Sequence, residues 1–175
     1  MPVTARRRPP SPPLPPLDAL EATHQTMLMT LAELARLLDR LRQSGPDDEV
    51  RRIAAQVVSF FSTEARQHHA QEERIVFPDL LESSDAELVQ QVRQLQQDHG
   101  WLEENWVVLG PQLDALACGY SWVDELALRE GTEMFHRMYQ EHIALEESLI
   151  YPEARRRGTM AAQQTAARRA GETRT

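Results

Sequence analysis

The sequence predicts an all-α protein with the architecture of an up-down-up-down four-helix bundle. Apolar residues recur with helical period along four stretches, and short turns containing glycine, proline or serine separate these stretches. The sustained alternation and Asn-Gly turns typical of β-hairpins do not occur. An eleven-residue string occurs twice, as HHAQEERIVFP from His68 and as HIALEESLIYP from His142, which indicates two similar halves.

The first predicted helix covers residues 18–43 and ends at a Ser-Gly-Pro turn at 44–46. The second opens with three acidic residues at 47–49, which favour a helix N-terminus, and it runs to about Phe77. Pro78 marks the place where this helix is expected to kink or stop.

The third predicted helix begins at Ser84, whose spacing to the glutamate three residues later fits a capping box. It runs towards Cys118, with a kink expected at Pro111. The fourth helix takes Ser121 as its N-cap and runs to about Tyr151.

Two tails flank the predicted bundle of residues 17–153. Residues 1–16 combine three arginines with a proline-rich run and predict a disordered leader. Residues 154–175 hold six arginines and predict a flexible or frayed-helix tail. Either tail could dock a protein partner. The bundle itself has 10 arginines, no lysine and 26 acidic residues, which disfavours nucleic acid and favours cations.

The single cysteine, Cys118, excludes an intrachain disulfide and a cysteine-based zinc site. No apolar run approaches the roughly 18 residues that a membrane span needs. Prolines follow the N-terminal arginines where a signal peptide needs an apolar stretch. We therefore expect a cytoplasmic protein without a membrane partner, and its oligomeric state stays open.

Each of the four inward-facing stripes carries one histidine. These are His24, His68, His99 and His142. Glu72 and Glu146 follow two of them one helical turn later, on the same face. Each predicted turn nearly bisects the interval between consecutive histidines, so all four should lie at one level of the bundle. Ile75, Val76 and Leu149 are expected to continue the inward stripes.

The remaining two histidines do not fit this level. His69 aligns with Ile143 in the repeat and is rotated away from His68 on the helix. His136 lies six residues before His142, far around the helix. We expect both to be surface or boundary residues outside the site.

Four imidazoles and two carboxylates in an apolar bundle would be costly without a cation. Imidazole and carboxylate are ligands for iron, manganese or zinc, and two histidines with one carboxylate per metal is the donor set of non-heme Fe(II) sites. If both glutamates bridge, the protein supplies about eight of the roughly twelve bonds of two octahedral metals. A bridging oxo or hydroxo group would leave about one open position per metal, for a ligand such as O2, NO or peroxide.

This pattern resembles the hemerythrin-like HHE cation-binding family, over about residues 18–153. The residues that carry the resemblance are His24, His68-x3-Glu72, His99 and His142-x3-Glu146. The resemblance implies a four-helix bundle around a non-heme di-iron centre with an oxo or hydroxo bridge. In that centre the four histidines would ligate iron and the two glutamates would be bridging carboxylates, with manganese or zinc as substitutes.

The sequence departs from the oxygen-carrying members of that family. They have a fifth histidine one turn after the third-helix histidine, and Glu103 stands there instead. Glu103 could ligate a metal or orient His99. Glu147 is an alternative to Glu146, because oxygen-carrying members place the last carboxylate five residues after the histidine. The iron–sulfur repair and nitric-oxide-linked members match the donor set better, but they usually carry a cysteine-bearing segment where this chain has its proline-rich leader.

Three functions are compatible with these residues. The first is a di-iron protein that binds or senses O2, NO or peroxide. The second is an iron-centre repair protein, an iron donor or a peroxide-decomposing di-iron enzyme. The third is a helical bundle that binds a protein partner and in which the metal has only a structural, stabilising role. Open coordination positions favour the first two, and the sequence leaves catalysis undecided.

Overall fold

The computed structural model describes residues 17–120 and 123–172, and the regular structure within these ranges is helical. Its α-helices are α1 (Leu17–Ser44), α2 (Asp48–Ser62), α3 (Glu64–Gln71), α4 (Phe77–Leu81), α5 (Ala86–Ala117), α6 (Glu125–Leu145) and α7 (Tyr151–Glu172). Two π-helical segments join them, Glu72–Val76 between α3 and α4, and Glu146–Ile150 between α6 and α7.

These elements form four long helical rods. The first is α1, the second runs from α2 to α4, the third is α5, and the fourth runs from α6 into α7. The helix pairs α1–α2, α2–α5, α5–α6 and α1–α6 are in contact, so the rods close into a ring around a shared interior. The predicted all-helical, four-helix architecture is confirmed.

The interior of the bundle contains two separate apolar clusters. The larger cluster includes Met27, Phe61, Leu102 and Phe135 and fills the half nearer to the α1–α2 turn. The smaller cluster fills the other half. Its buried members are Leu17, Leu20, Val76, Phe77, Leu80, Leu88, Val92, Leu95, Ile150, Tyr151 and Ala154. Along every rod, the histidines and glutamates singled out by the sequence lie between the residues of these two clusters.

Each π-helical segment begins at one of the two inward glutamates. The backbone N–H of Phe77 donates to the carbonyl of Glu72, and that of Tyr151 donates to the carbonyl of Glu146, so each bond spans five residues. The wider turn holds one residue more than an α-turn and moves the buried stripe along by one position.

This shift overturns the expectation that Ile75 and Leu149 face inward. Leu149 is 38% exposed, whereas the next residue, Ile150, is fully buried. Ile75 is half-buried, whereas Val76, which was also expected to face inward, is buried. The α-helical period that predicts the inward stripe does not hold across a π-turn.

The second and fourth rods also continue beyond their predicted ends. Helix α4 runs to Leu81, and α7 carries the chain as helix to Glu172, through the segment expected to fray. Pro78 and Pro152 do not stop these rods, because each lies in the first turn of a new α-helix, where a missing N–H is tolerated. Helix α5 likewise continues through Pro111.

Two of the predicted N-caps are replaced by aspartates. The carboxylate of Asp85, not the hydroxyl of Ser84, accepts the first free N–H groups of α5. Asp124 does the same for α6, which begins later than predicted. The predicted cap Ser121 lies outside the described residues, as do the leader of residues 1–16 and the last three residues. Among the helices that the structure describes, none is long and apolar enough to cross a membrane.

Candidate metal centre

The structure brings the six sequence-predicted site residues together in the middle of the bundle. His24 comes from α1, His68 from α3, His99 from α5 and His142 from α6. Glu72 and Glu146 are the first residues of the two π-helical segments. All six side chains are buried, and none is more than 6% exposed.

A first group of donor atoms forms around His24 and His68. Their Nε2 atoms lie 3.0 Å apart. Oε1 of Glu72 lies 3.3 Å from Nε2 of His68, and Oε2 of Glu146 lies 3.2 Å from Nε2 of His24. One donor atom from each of these four residues lies within 4.8 Å of all the others.

A second group forms around His99 and His142, and it uses the other oxygen of each glutamate. Oε2 of Glu72 lies 3.5 Å from Nε2 of His99. Oε1 of Glu146 lies 3.2 Å from Nε2 of His142 and 4.0 Å from Nε2 of His99. Each carboxylate therefore faces both groups, which is the arrangement that a pair of bridging ligands requires.

Several of these atoms are buried without a hydrogen-bond partner in the described part of the chain. They are Oε2 of Glu72, both carboxylate oxygens of Glu146, and Nε2 of His99 and of His142. A buried polar atom without a partner costs about 1–3 kcal/mol, and a charged one costs more. Adjacent ligands of an octahedral ion with bonds of about 2.1 Å are about 3.0 Å apart, close to most of the separations observed here. The donor set thus fits two cations.

The two carboxylates also oppose each other electrostatically. Burial and the neighbouring charge of Glu72 raise the pKa of Glu146 to about 8. Burial acts in the same direction on Glu72, but the adjacent imidazoles of His68 and His99 hold the pKa of that carboxyl well below its usual range. Two buried carboxylates this close do not both ionise easily unless positive charge lies between them.

The second glutamate of each repeated Glu-Glu pair contacts a histidine of another rod. Oε1 of Glu73 lies 2.8 Å from Nδ1 of His99, and Oε1 of Glu147 lies 3.1 Å from Nδ1 of His24. If each Nδ1–H donates to its glutamate, the Nε2 lone pair is free to face the centre. A carboxylate in this position orients a metal-binding histidine and raises its basicity. Glu147, the alternative to Glu146, thus lies on the outer side of His24.

Glu103 takes neither role that the sequence left open for it. Its carboxylate pairs with the guanidinium of Arg66 on the bundle surface and is 44% exposed. The carboxylate that contacts Nδ1 of His99 belongs to Glu73.

His69 was expected to be a surface or boundary residue outside the site. It is half-buried, as a boundary residue would be, but its ring lies against the site. Its ring stacks on that of His99 with centroids 4.1 Å apart, and its Nε2 is buried without a partner among the described residues. One ring nitrogen of His69 belongs to a cluster of donor atoms from Glu72, His99 and His142 in which no two lie more than 4.8 Å apart. Burial, followed by the nearby His99 and His142, lowers the pKa of His69 well below its usual value. His136 is half-buried and takes no part in either group.

Tyr151 is a second residue that the sequence reasoning missed. It is fully buried, and its ring stacks on that of His24. Its hydroxyl donates a hydrogen bond to Oε1 of Glu72 at a distance of 2.5 Å. The hydroxyl oxygen is also 3.2 Å from Nε2 of His24. Burial and the charges of Glu72 and Glu146 raise the pKa of Tyr151. Phe77, its counterpart in the repeat, stacks on His99 in the same way without a hydroxyl.

Comparison with known proteins agrees with this geometry. The model of the hemerythrin HHE cation-binding domain matches residues 16–154. An uncharacterized protein of Haemophilus influenzae is 32% identical over 119 residues, which cover 67% of this chain and 66% of the relative. The chain thus spans about two thirds of the length of that curated relative. With the family model matching most of the chain around two buried clusters of histidine and glutamate, the chain belongs to the hemerythrin HHE cation-binding domain family.

Proposed function

We propose that this protein holds two non-heme iron ions between its four rods and binds a small ligand there. His24 and His68 would hold the first ion, and His99 and His142 the second. Glu72 and Glu146 would bridge the two ions. The observation that carries the proposal is that each glutamate directs one buried oxygen to each pair of histidines. Iron is preferred because imidazole and carboxylate donors in this ratio suit it, although manganese and zinc accept the same donors.

The two apolar clusters support a role in binding a small ligand. They close the bundle on both sides of the donor level, so the interior offers an apolar environment that suits a diatomic molecule or peroxide. The six proposed ligands leave coordination positions free on the pair of ions, and one or more of these would receive O2, NO or peroxide. The ring of contacts between consecutive rods supports an up-down-up-down course for the chain.

The first test is to measure the metal content of the purified full-length chain. We expect about two irons per chain, since the donor atoms form two groups. In the oxidised protein, azide should produce new absorption in the near-ultraviolet or visible range. Stoichiometric zinc in protein from iron-replete cells, with no iron taken up on reconstitution, would contradict the proposal.

Stopped-flow mixing with each small molecule separates binding from catalysis. A stable spectral change with O2 or NO, at one equivalent per iron pair, would support a binding or sensing protein. Rapid consumption of many equivalents of peroxide would instead support the peroxide-decomposing enzyme. Transfer of iron to an acceptor such as a damaged iron–sulfur protein would support the repair or donor role.

Glu73 and Glu147 offer a test of how the histidines are oriented. Glu73→Gln and Glu147→Gln should each weaken metal binding by about 10–100-fold, because a neutral amide is a poorer acceptor for the imidazole N–H. Competition with a chelator of known affinity measures this change. Glu103→Gln is the matched control, since its carboxylate pairs with Arg66 at the surface. Equal effects of all three substitutions would mean that the contacts to His24 and His99 have no special role.

A further inference from the structure

We infer that His69 is the third imidazole ligand of the second ion, together with His99 and His142. This inference rests on the proposed function, because it assigns one more donor to the same pair of ions. His69 lies three residues before Glu72, so both side chains can reach the same side of the rod. The donor would thus come from α3, whereas the family resemblance points to a position on the third rod that Glu103 occupies.

The first observation behind this assignment is the unsatisfied ring nitrogen. Nε2 of His69 has almost no exposed surface and no hydrogen-bond partner among the residues that the structure describes. A histidine that served only for packing would leave this nitrogen buried and unsatisfied, which is unfavourable. Coordination would remove that cost.

The second observation is where the His69 ring lies. One of its ring nitrogens is within 4.8 Å of donor atoms of Glu72, His99 and His142, and those three residues already belong to the second group. The His69 ring contacts both imidazoles of that group, stacked on His99 at 4.1 Å and edge-on to His142 at 5.4 Å.

The repeat makes this donor specific to one half of the chain. Ile143 occupies the position equivalent to His69 and is buried in the larger apolar cluster, so it supplies no donor to the first group. The second ion would then have three imidazoles and the first only two.

His69→Phe tests the assignment, because it keeps an aromatic ring beside His99 and removes both ring nitrogens. We expect iron to fall from about two per chain to about one after dialysis against a mild chelator. His136→Phe is the control, since the same substitution at a half-buried histidine outside both groups should leave both irons in place. Circular dichroism and a thermal melt of each variant show whether the helices are intact.

His69→Ala gives a second measurement that does not depend on fitting a larger ring. Free imidazole added to this variant should restore the second iron, since it can enter the space left by the side chain. Retention of two irons by His69→Phe and His69→Ala under the same dialysis would overturn the role of His69 and leave the proposed function standing. A wild-type protein that holds no iron would overturn the proposed function itself.

Discussion

Glu146→Gln is expected to remove both metal ions with a single, nearly isosteric change. Oε2 of Glu146 lies 3.2 Å from Nε2 of His24, and Oε1 lies 3.2 Å from Nε2 of His142, so one carboxylate serves both groups. Glutamine keeps one oxygen but replaces the other with an NH2 group that has no lone pair to donate. It also removes the negative charge that would offset two cations. We expect iron to fall from about two per chain to well below one.

The matched control for this prediction is the next residue, Glu147. Its oxygen contacts the outer nitrogen of His24, so Glu147→Gln should weaken binding but still fill both sites at saturating iron. Metal analysis after reconstitution with excess iron compares the two variants directly. If Glu146→Gln keeps both irons while Glu147→Gln loses them, the bridging role belongs to Glu147.

Removing metal from the wild-type protein should lower its thermal stability strongly. The centre contains at least five buried donor atoms without hydrogen-bond partners in the described residues, at about 1–3 kcal/mol each. If metal removal costs about 5 kcal/mol in total, the midpoint of unfolding should fall by about 10–20 °C for a chain of this size. Calorimetry of the iron-loaded, metal-free and reconstituted protein measures this, and reconstitution should restore the midpoint.

The Glu146→Gln variant gives a further test of this prediction. Compared with wild type, its thermal stability should be lower in the iron-loaded protein and higher in the metal-free protein. It should be less stable than wild type when iron is supplied, since it binds iron poorly. Without metal it should be more stable than wild type, since it removes one of two adjacent buried carboxylates. Burial and the charge of Glu72 together raise the pKa of Glu146 to about 8, so this carboxylate is costly to ionise in the metal-free protein. If removing metal leaves the wild-type midpoint unchanged, these side chains are satisfied without a cation and the metal proposal fails.

The sequence could predict that the six site residues lie close together, because their common level in the bundle follows from helix length alone. Turns that bisect the intervals between histidines place them at one level, whatever packs around them. The sequence could not predict that the π-turns shift the buried stripe of each helix by one position. The π-turns begin at Glu72 and Glu146, and nothing in the composition of those segments distinguishes a π-turn from an α-turn.

The repeat contained a signal for both His69 and Tyr151, the two residues that the sequence reasoning missed. His69 aligns with Ile143 and Tyr151 aligns with Phe77, and both of these counterparts are apolar and buried. A polar residue at a position where the other half has a core residue should itself be near the core. The mismatch between His69 and Ile143 concerns the donor atom and not the direction of the side chain, so it does not exclude His69 from the site.

The two π-helical segments limit where this chain can gain or lose residues. Each residue of an α-helix turns the chain by about 100°. Deleting one residue from Glu72–Val76 or Glu146–Ile150 would convert the π-turn to an α-turn and rotate all that follows. Tyr151, or its counterpart Phe77, would then leave its histidine. The connection between α4 and α5, which holds no site residue, should tolerate insertions and deletions far better, so natural length variation should concentrate there.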